Sequence, residues 1–178
     1  MAFWPDAELF ETTETLTHFE PFPEPPALIL EYIAERSTEE SVAADGPVPW
    51  DIGALSAELI KPMPAWLDSV CRWLNRTYAW QPQDVIPPCW AKHEGLAYEI
   101  AALAFAKGDA YAEAGSSVIW HEQYDRFLTR MNKTLGKAGD ECRVGKHDER
   151  PARFQLAAWP TAKGEETGSV GQIEEMAG

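Results

Sequence analysis

Basic residues are scarce in this chain. Fifteen Lys and Arg stand against 29 Asp and Glu in 178 residues, for a formal charge of −14. That balance argues against a nucleic-acid binder or a protein held to an anionic membrane surface. Cysteine is scarce too: three residues, an odd number, which does not fit a disulfide-stapled secreted fold. The longest uninterrupted apolar run, Ile100 to Ala106, falls far short of a membrane span. The chain opens apolar and acidic (MAFWPDAELF), without the basic-then-apolar pattern of a secretory leader, so a cytoplasmic location is expected. There is no G-x-S-x-G elbow, no phosphate-cradling glycine loop and no dinucleotide fingerprint. What is present is the composition of a globular chain, 45% apolar and 25% charged, with eight tryptophans.

The acidity is concentrated at one end. Residues 1–60 contain 13 acidic residues and one basic residue, Arg36, whereas residues 61–135 contain eight of each sign. Such asymmetry separates a tail or docking segment from a folded body. The plain expectation is an acidic, partly disordered arm that aids solubility. The sharper one is an arm that occupies a basic surface, on a protein partner or in place of DNA.

Within the arm, residues 6–19 could form a short amphipathic helix, and the proline-rich EPFPEPP at 20–26 reads as an extended spacer. The sequence predicts a helix over 27–36, with Leu28, Ile29, Tyr32 and Ile33 on one face, then a loop to residue 49 and another short helix within 50–60. A stronger pattern begins after Lys61. Met63, Trp66, Leu67, Val70, Trp73, Leu74 and Thr77 fall at helical spacing, and Trp66, Trp73 and Trp80, seven apart, are expected on one face as core. A second helix is expected from about Lys92 to Ala114, with Leu96, Ile100, Leu103, Ala106 and Tyr111 inward, ended by Gly115. The third, capped by Ser116 or Ser117, carries Trp120, Tyr124, Phe127, Leu128, Met131 and Leu135, and stops at Gly136. No segment alternates as a strand would. The expected fold is mainly α: a bundle of about three core helices in a body of residues 61–159, an acidic N-terminal arm of residues 1–60, and a disordered tail of residues 160–178.

Two cysteine–histidine pairs offer metal chemistry. Cys89 and His93 (CWAKH) are separated by three residues, Cys142 and His147 (CRVGKH) by four. Zinc takes four soft or borderline ligands in a tetrahedron, commonly two Cys and two His in close-spaced pairs. A hairpin of the two intervening helices could join the pairs. The plainer alternative is two idle cysteines and two surface histidines. Cys71 reads as a small core residue. His121, Glu122 and Asp125 resemble the H-E-x-x-H helix of zinc proteases but place Asp where the second His belongs. His121 and Asp125 could still pair across one turn as base and orienter, with Glu94 nearby, or form a plain surface contact. Arg126, Arg130 and Lys133, with Arg72 and Arg76, form a basic stripe blunted by Asp68, Glu122 and Asp125.

The run P-C-W-x2-H-E at 88–94, the W-x4-D of Trp120 to Asp125 and the C-x4-H of Cys142 to His147 together resemble an uncharacterised family of small actinobacterial proteins carried by conjugative plasmids, integrative elements and phages. The resemblance covers about residues 65–160. It implies a cytoplasmic accessory protein of a mobile element and places Cys89, His93, Cys142 and His147 on the family's motif positions. Three functional readings follow. The first is a non-enzymatic interaction protein with one structural zinc and an acidic arm docking a protein partner with a basic surface. The second is a metal-dependent or His-Asp hydrolase using Cys89, His93, Cys142 and His121. The third is an acidic DNA mimic that inhibits a host nucleic-acid-binding protein.

Overall fold

The structure, a computed structural model, describes residues 18–38 and 45–147. The chain divides into two compact units, residues 1–147 and 148–178, and every described residue belongs to the first. Most of the amphipathic segment expected at 6–19, part of the 37–49 loop and the whole C-terminal tail therefore lie outside the described residues. The fold is helical, with no strand among the described residues. Among the described residues, no helix is long and apolar enough to cross a membrane.

Helix α1 spans Ala27–Arg36. It starts directly behind Pro26, the last extended residue of the Pro-rich run. The short α2 spans Ala57–Ile60, capped by the Ser56 hydroxyl accepting from the Leu59 N–H. Helix α3 spans Met63–Tyr78, with Pro64 in its first turn, where a missing N–H leaves no bond unmade. Helix α4 spans Glu94–Ala110, and α5 spans Ala114–Leu135. Gly136, at φ +52°, stops α5 in a conformation that favours glycine. After one 3₁₀ turn the short α6 follows, Gly139–Arg143.

Helices α3, α4 and α5 are the expected core, with α4 packing most extensively on α5. Met63, Trp66, Leu67, Val70 and Leu74 of α3 meet Leu96, Ile100 and Ala104 of α4 and Trp120, Phe127 and Met131 of α5, all buried. Trp120 donates its indole N–H to the Leu103 carbonyl of α4 at 3.0 Å and stacks on Tyr124, fastening the two longest helices together. Cys71 is buried in this core, as expected, and burial pushes its thiol pKa well up, so it stays protonated.

Several boundaries and faces differ from expectation. Trp80 is 85% exposed, because α3 ends at Tyr78 and Ala79 leaves helical geometry, so a seven-residue spacing no longer places it beside Trp73. Thr77, still inside α3, is exposed as well. Helix α4 ends four residues early, and its core stripe runs through Ala97, Ala101 and Ala104 and on to Lys107, leaving Ala106 and Tyr111 exposed. Gly115 lies inside α5 rather than ending α4, and Glu113 rather than a serine precedes the new helix. Only Ile29 of α1 is fully buried, while Leu28 and Leu30 are exposed.

The described part of the acidic segment is packed on the body. Trp73 donates its indole N–H to the Glu20 carbonyl at 2.9 Å, and Trp66 donates to the Pro23 carbonyl at 3.1 Å. The extended Pro-rich segment thus offers backbone carbonyls without partners of its own, and two tryptophans of α3 take them. Arg76 pairs with the Glu20 carboxylate. Phe22 packs edge-on to Trp73 at 5.1 Å. Beneath them lies Lys107, 7% exposed, its Nζ 3.1 Å from the Tyr111 ring centre and within 5.5 Å of Phe22, Trp73 and Trp120. Four ring faces replace water around this ammonium, each worth on the order of 0.5–2 kcal/mol. Burial still lowers its pKa from the usual lysine value.

This packing separates the tryptophans by consequence. Trp73→Ala is expected to cost about 3–5 kcal/mol by cavity formation and lost anchoring, whereas Trp80→Ala is expected to stay within about 0.5 kcal/mol of wild type. Urea unfolding of both variants checks it. A large loss at Trp80 would contradict this assignment of the core.

Candidate metal centre

Two turns deliver the four candidate ligands. The first follows Pro87 and Pro88. There the Trp90 N–H bonds the Pro87 carbonyl at 3.0 Å, the Lys92 N–H the Cys89 carbonyl at 2.9 Å, and the His93 N–H the Trp90 carbonyl at 3.1 Å. This tight 3₁₀ winding places His93 back beside Cys89. Trp90, 5% exposed, inserts into the core and points its indole N–H at Asp68 of α3, fixing the turn to the bundle. His93 is also the residue that opens α4, yet its ring caps no helix N–H and stays available as a ligand.

The second turn is the end of α6. Cys142 sits inside that helix, fully buried. Gly145 then adopts φ +80°, donating to the Cys142 carbonyl at 3.1 Å while Lys146 donates to the Glu141 carbonyl at 2.8 Å. These two bonds form a Schellman ending, which needs a left-handed residue and so favours glycine. The reversal turns His147 back towards Cys142.

The two turns meet. Cys89, His93, Cys142 and His147 each offer one ligand atom, and all four atoms lie within 4.8 Å of one another, close enough to bind a metal ion. Cys89 Sγ is 3.5 Å from His93 Nε2, Cys142 Sγ is 3.6 Å from the same nitrogen, and Cys142 Sγ is 3.9 Å from His147 Nδ1. A tetrahedron with metal–ligand bonds of about 2.0–2.3 Å has edges of roughly 3.3–3.8 Å, which these separations approach. The two imidazoles stand edge to face, 4.9 Å between centres, as side chains do when they converge on a common point. The expected pairing of C-x3-H with C-x4-H is thus present in space, 49 residues apart between His93 and Cys142.

Burial favours the neutral forms of two of the four groups. Burial, followed by the neighbouring Cys142, raises the Cys89 thiol pKa. Burial, followed by the facing His147, lowers that of His93. Near neutral pH the Cys89 thiol and the His93 imidazole are therefore neutral, and a divalent cation displaces the Cys89 proton to bind.

The other candidates lie elsewhere. His121 bonds the Tyr111 hydroxyl at 2.9 Å and touches the Tyr78 and Trp120 rings, at the opposite half of α5 from the metal cluster. Eleven residues separate it from Asn132, the residue of α5 that reaches α6, or about 16 Å of helix. No hydrogen bond or ion pair joins His121 to Asp125 among the described residues: the imidazole bonds Tyr111 instead, and Asp125 is exposed. Glu94 is exposed in the first turn of α4 and is not among the residues that converge. The basic stripe is largely neutralised: Arg130 pairs with Glu99 at 2.7 Å, and Arg72 pairs with Asp68.

Sequence reasoning did not single out Asn75, Asn132 or Arg143. Asn75 grips the backbone just ahead of the first ligand turn, accepting from the Ile86 N–H at 2.8 Å and donating to the Ile86 carbonyl at 2.9 Å. Arg143 follows Cys142 directly and donates to the Val85 and Gln83 carbonyls at 3.1 and 2.8 Å. Nothing in a mid-helix Asn or a surface-like Arg distinguishes such roles in a sequence. No family model, curated protein or solved structure matches this chain.

Because binding must displace the Cys89 proton, zinc affinity is expected to rise with pH, by about tenfold per pH unit for each proton released near neutrality. Competition titrations at pH 6.5 and 7.5 measure this. An affinity independent of pH would contradict thiolate ligation.

Proposed function

We propose that this protein is a non-enzymatic interaction protein whose helical body is stapled by one structural zinc ion at Cys89, His93, Cys142 and His147, and whose acidic N-terminal region docks a protein partner with a basic surface. The observation that carries the zinc reading is the convergence of two sulfur and two nitrogen donors from turns 53 residues apart. Two Cys and two His form a donor set suited to zinc, and four protein ligands close its coordination sphere. A closed sphere leaves no place for an activated water, and the acid–base candidates His121 and Asp125 sit away from it. Both points favour a structural role over hydrolysis. The chemistry such an ion supplies is cross-linking: it would tie α6 to the turn preceding α4.

The docking reading rests on charge that the fold holds at the surface. Glu24, Glu31, Glu35, Asp45, Asp51 and Glu58 are exposed on a segment fastened to the core through Trp66, Trp73 and Ile29. Fixed carboxylates attract a basic partner and speed its association. The resemblance to actinobacterial mobile-element proteins supports an accessory role in the host cytoplasm.

Cobalt substitution tests the metal reading. A four-coordinate spectrum with thiolate charge-transfer bands and no exchangeable water is expected. Higher coordination with exchangeable water would contradict it and favour the hydrolase. For docking, the intact protein is expected to bind a nona-arginine peptide in a salt-dependent way, and Gln at Glu24, Glu31 and Glu35 to weaken that binding. Unchanged affinity in that variant would remove the acidic region from the account.

A further inference from the structure

We propose that Arg143 is the positioning residue of the metal centre: its guanidinium, seated in space left by Gly139, locks the two ligand-bearing turns in binding geometry before any ion arrives. The inference rests on the zinc reading above and goes beyond it by assigning a residue that binds no metal.

Arg143 belongs to the same short helix as Cys142 and is its immediate neighbour, so a shift of one moves the other. Its side chain is only 10% exposed. Nε donates to the Val85 carbonyl at 3.1 Å, and Nη2 donates to the Gln83 carbonyl at 2.8 Å and to Asn132 Oδ1 at 2.6 Å. The remaining nitrogen, Nη1, faces the Asp140 carboxylate at 3.5 Å. The acceptors come from two separate places. Gln83 and Val85 precede the Pro87–Cys89 turn, and Asn132 lies in the last turns of α5. Asn132 is itself fixed, donating to the Leu128 carbonyl at 3.0 Å. Asn75 clamps Ile86, between Val85 and the ligand turn, from the other side. One fork therefore joins the segment leading to Cys89 and His93, the helix carrying Cys142, and the end of α5.

The chemistry demands arginine. Three carbonyl-type acceptors, one on Nε and two on Nη2, draw on several N–H groups of one guanidinium, whereas a lysine ammonium is a point donor on a flexible stem. Gly139 completes the arrangement one turn earlier. A Cβ there would lie 2.7 Å from Arg143 Nη1 and 3.3 Å from the Leu135 Cβ. Its φ lies in the ordinary helical region, so its value is the space it leaves. An outer-shell residue of this kind fixes ligands in place, and its loss typically weakens metal binding by about 10–100-fold.

The test uses the full chain with Zn²⁺ alone as ligand. Arg143→Lys and Gly139→Ala are each expected to keep one zinc per chain while raising its Kd about 10–100-fold and speeding its release to a chelator. Melting of the metal-free chain is measured alongside, because a merely structural arginine would lower that melting point yet leave the Kd of the folded protein unchanged. A wild-type Kd in both variants, whatever their melting points, overturns the proposal while leaving the zinc reading intact. Failure of the wild-type chain to take up zinc overturns both.

Discussion

The structure hinges on one closure: the end of α6 folds back onto the turn that precedes α4, bringing Cys142 and His147 to Cys89 and His93. Between these points the chain makes its two longest helices and returns. Closing a loop of that length costs configurational entropy that grows only slowly with length. The closure is supported by packing and hydrogen bonds as well as by the four donors. Trp90 and Asn75 hold the first turn to α3, and Arg143 holds the second to the first. A dication bound there would find its ligands already gathered, which is the condition for tight binding at small conformational cost.

The opposite half of the bundle is organised by aromatic side chains. Phe22, Trp73, Tyr111 and Trp120 surround the Lys107 ammonium, and two α3 indoles hydrogen-bond the carbonyls of the Pro-rich segment. An extended, proline-bearing segment has unpaired carbonyls that must find donors, and an indole N–H has only donation to offer, so the match is chemically natural. Its consequence is that an acidic stretch, which composition alone would leave solvated and loose, is in its described part mounted on the core. The carboxylates are thereby held on a surface of definite shape.

Much of the fold was legible because three helices carry clean periodicity. Trp120, Tyr124, Phe127, Met131 and Leu135 read as one face and are buried as one face, and Pro64 and Gly136 mark ends that the structure keeps. The metal cluster was legible because chelating spacings are local, and each pair turns on itself. Failures had equally local causes. Trp80 kept the spacing of a helix that had already ended, and the alanine-rich α4 offers several faces of similar apolarity, so Ala106 and Tyr111 could not be told from Ala97 and Ala104. The attachment of residues 18–26 was hard to see because much of it runs through the Glu20 and Pro23 backbone carbonyls, which every residue possesses. Lys107 was hidden because a lysine is buried only when its surroundings replace water, and three of the four rings that do so, Phe22, Trp73 and Trp120, come from other helices or segments.

The central claim is that four side chains from two turns act as one metal centre. It is tested most directly by metal content per chain, measured on protein purified without a polyhistidine tag, together with a thiol count before and after chelation. The account predicts about one zinc per chain, with two thiols, Cys89 and Cys142, becoming reactive only when the chelator is added, and with Cys71 silent until the chain unfolds. A metal-free chain in which Cys89 and Cys142 react at once, with no change on adding zinc, would contradict it.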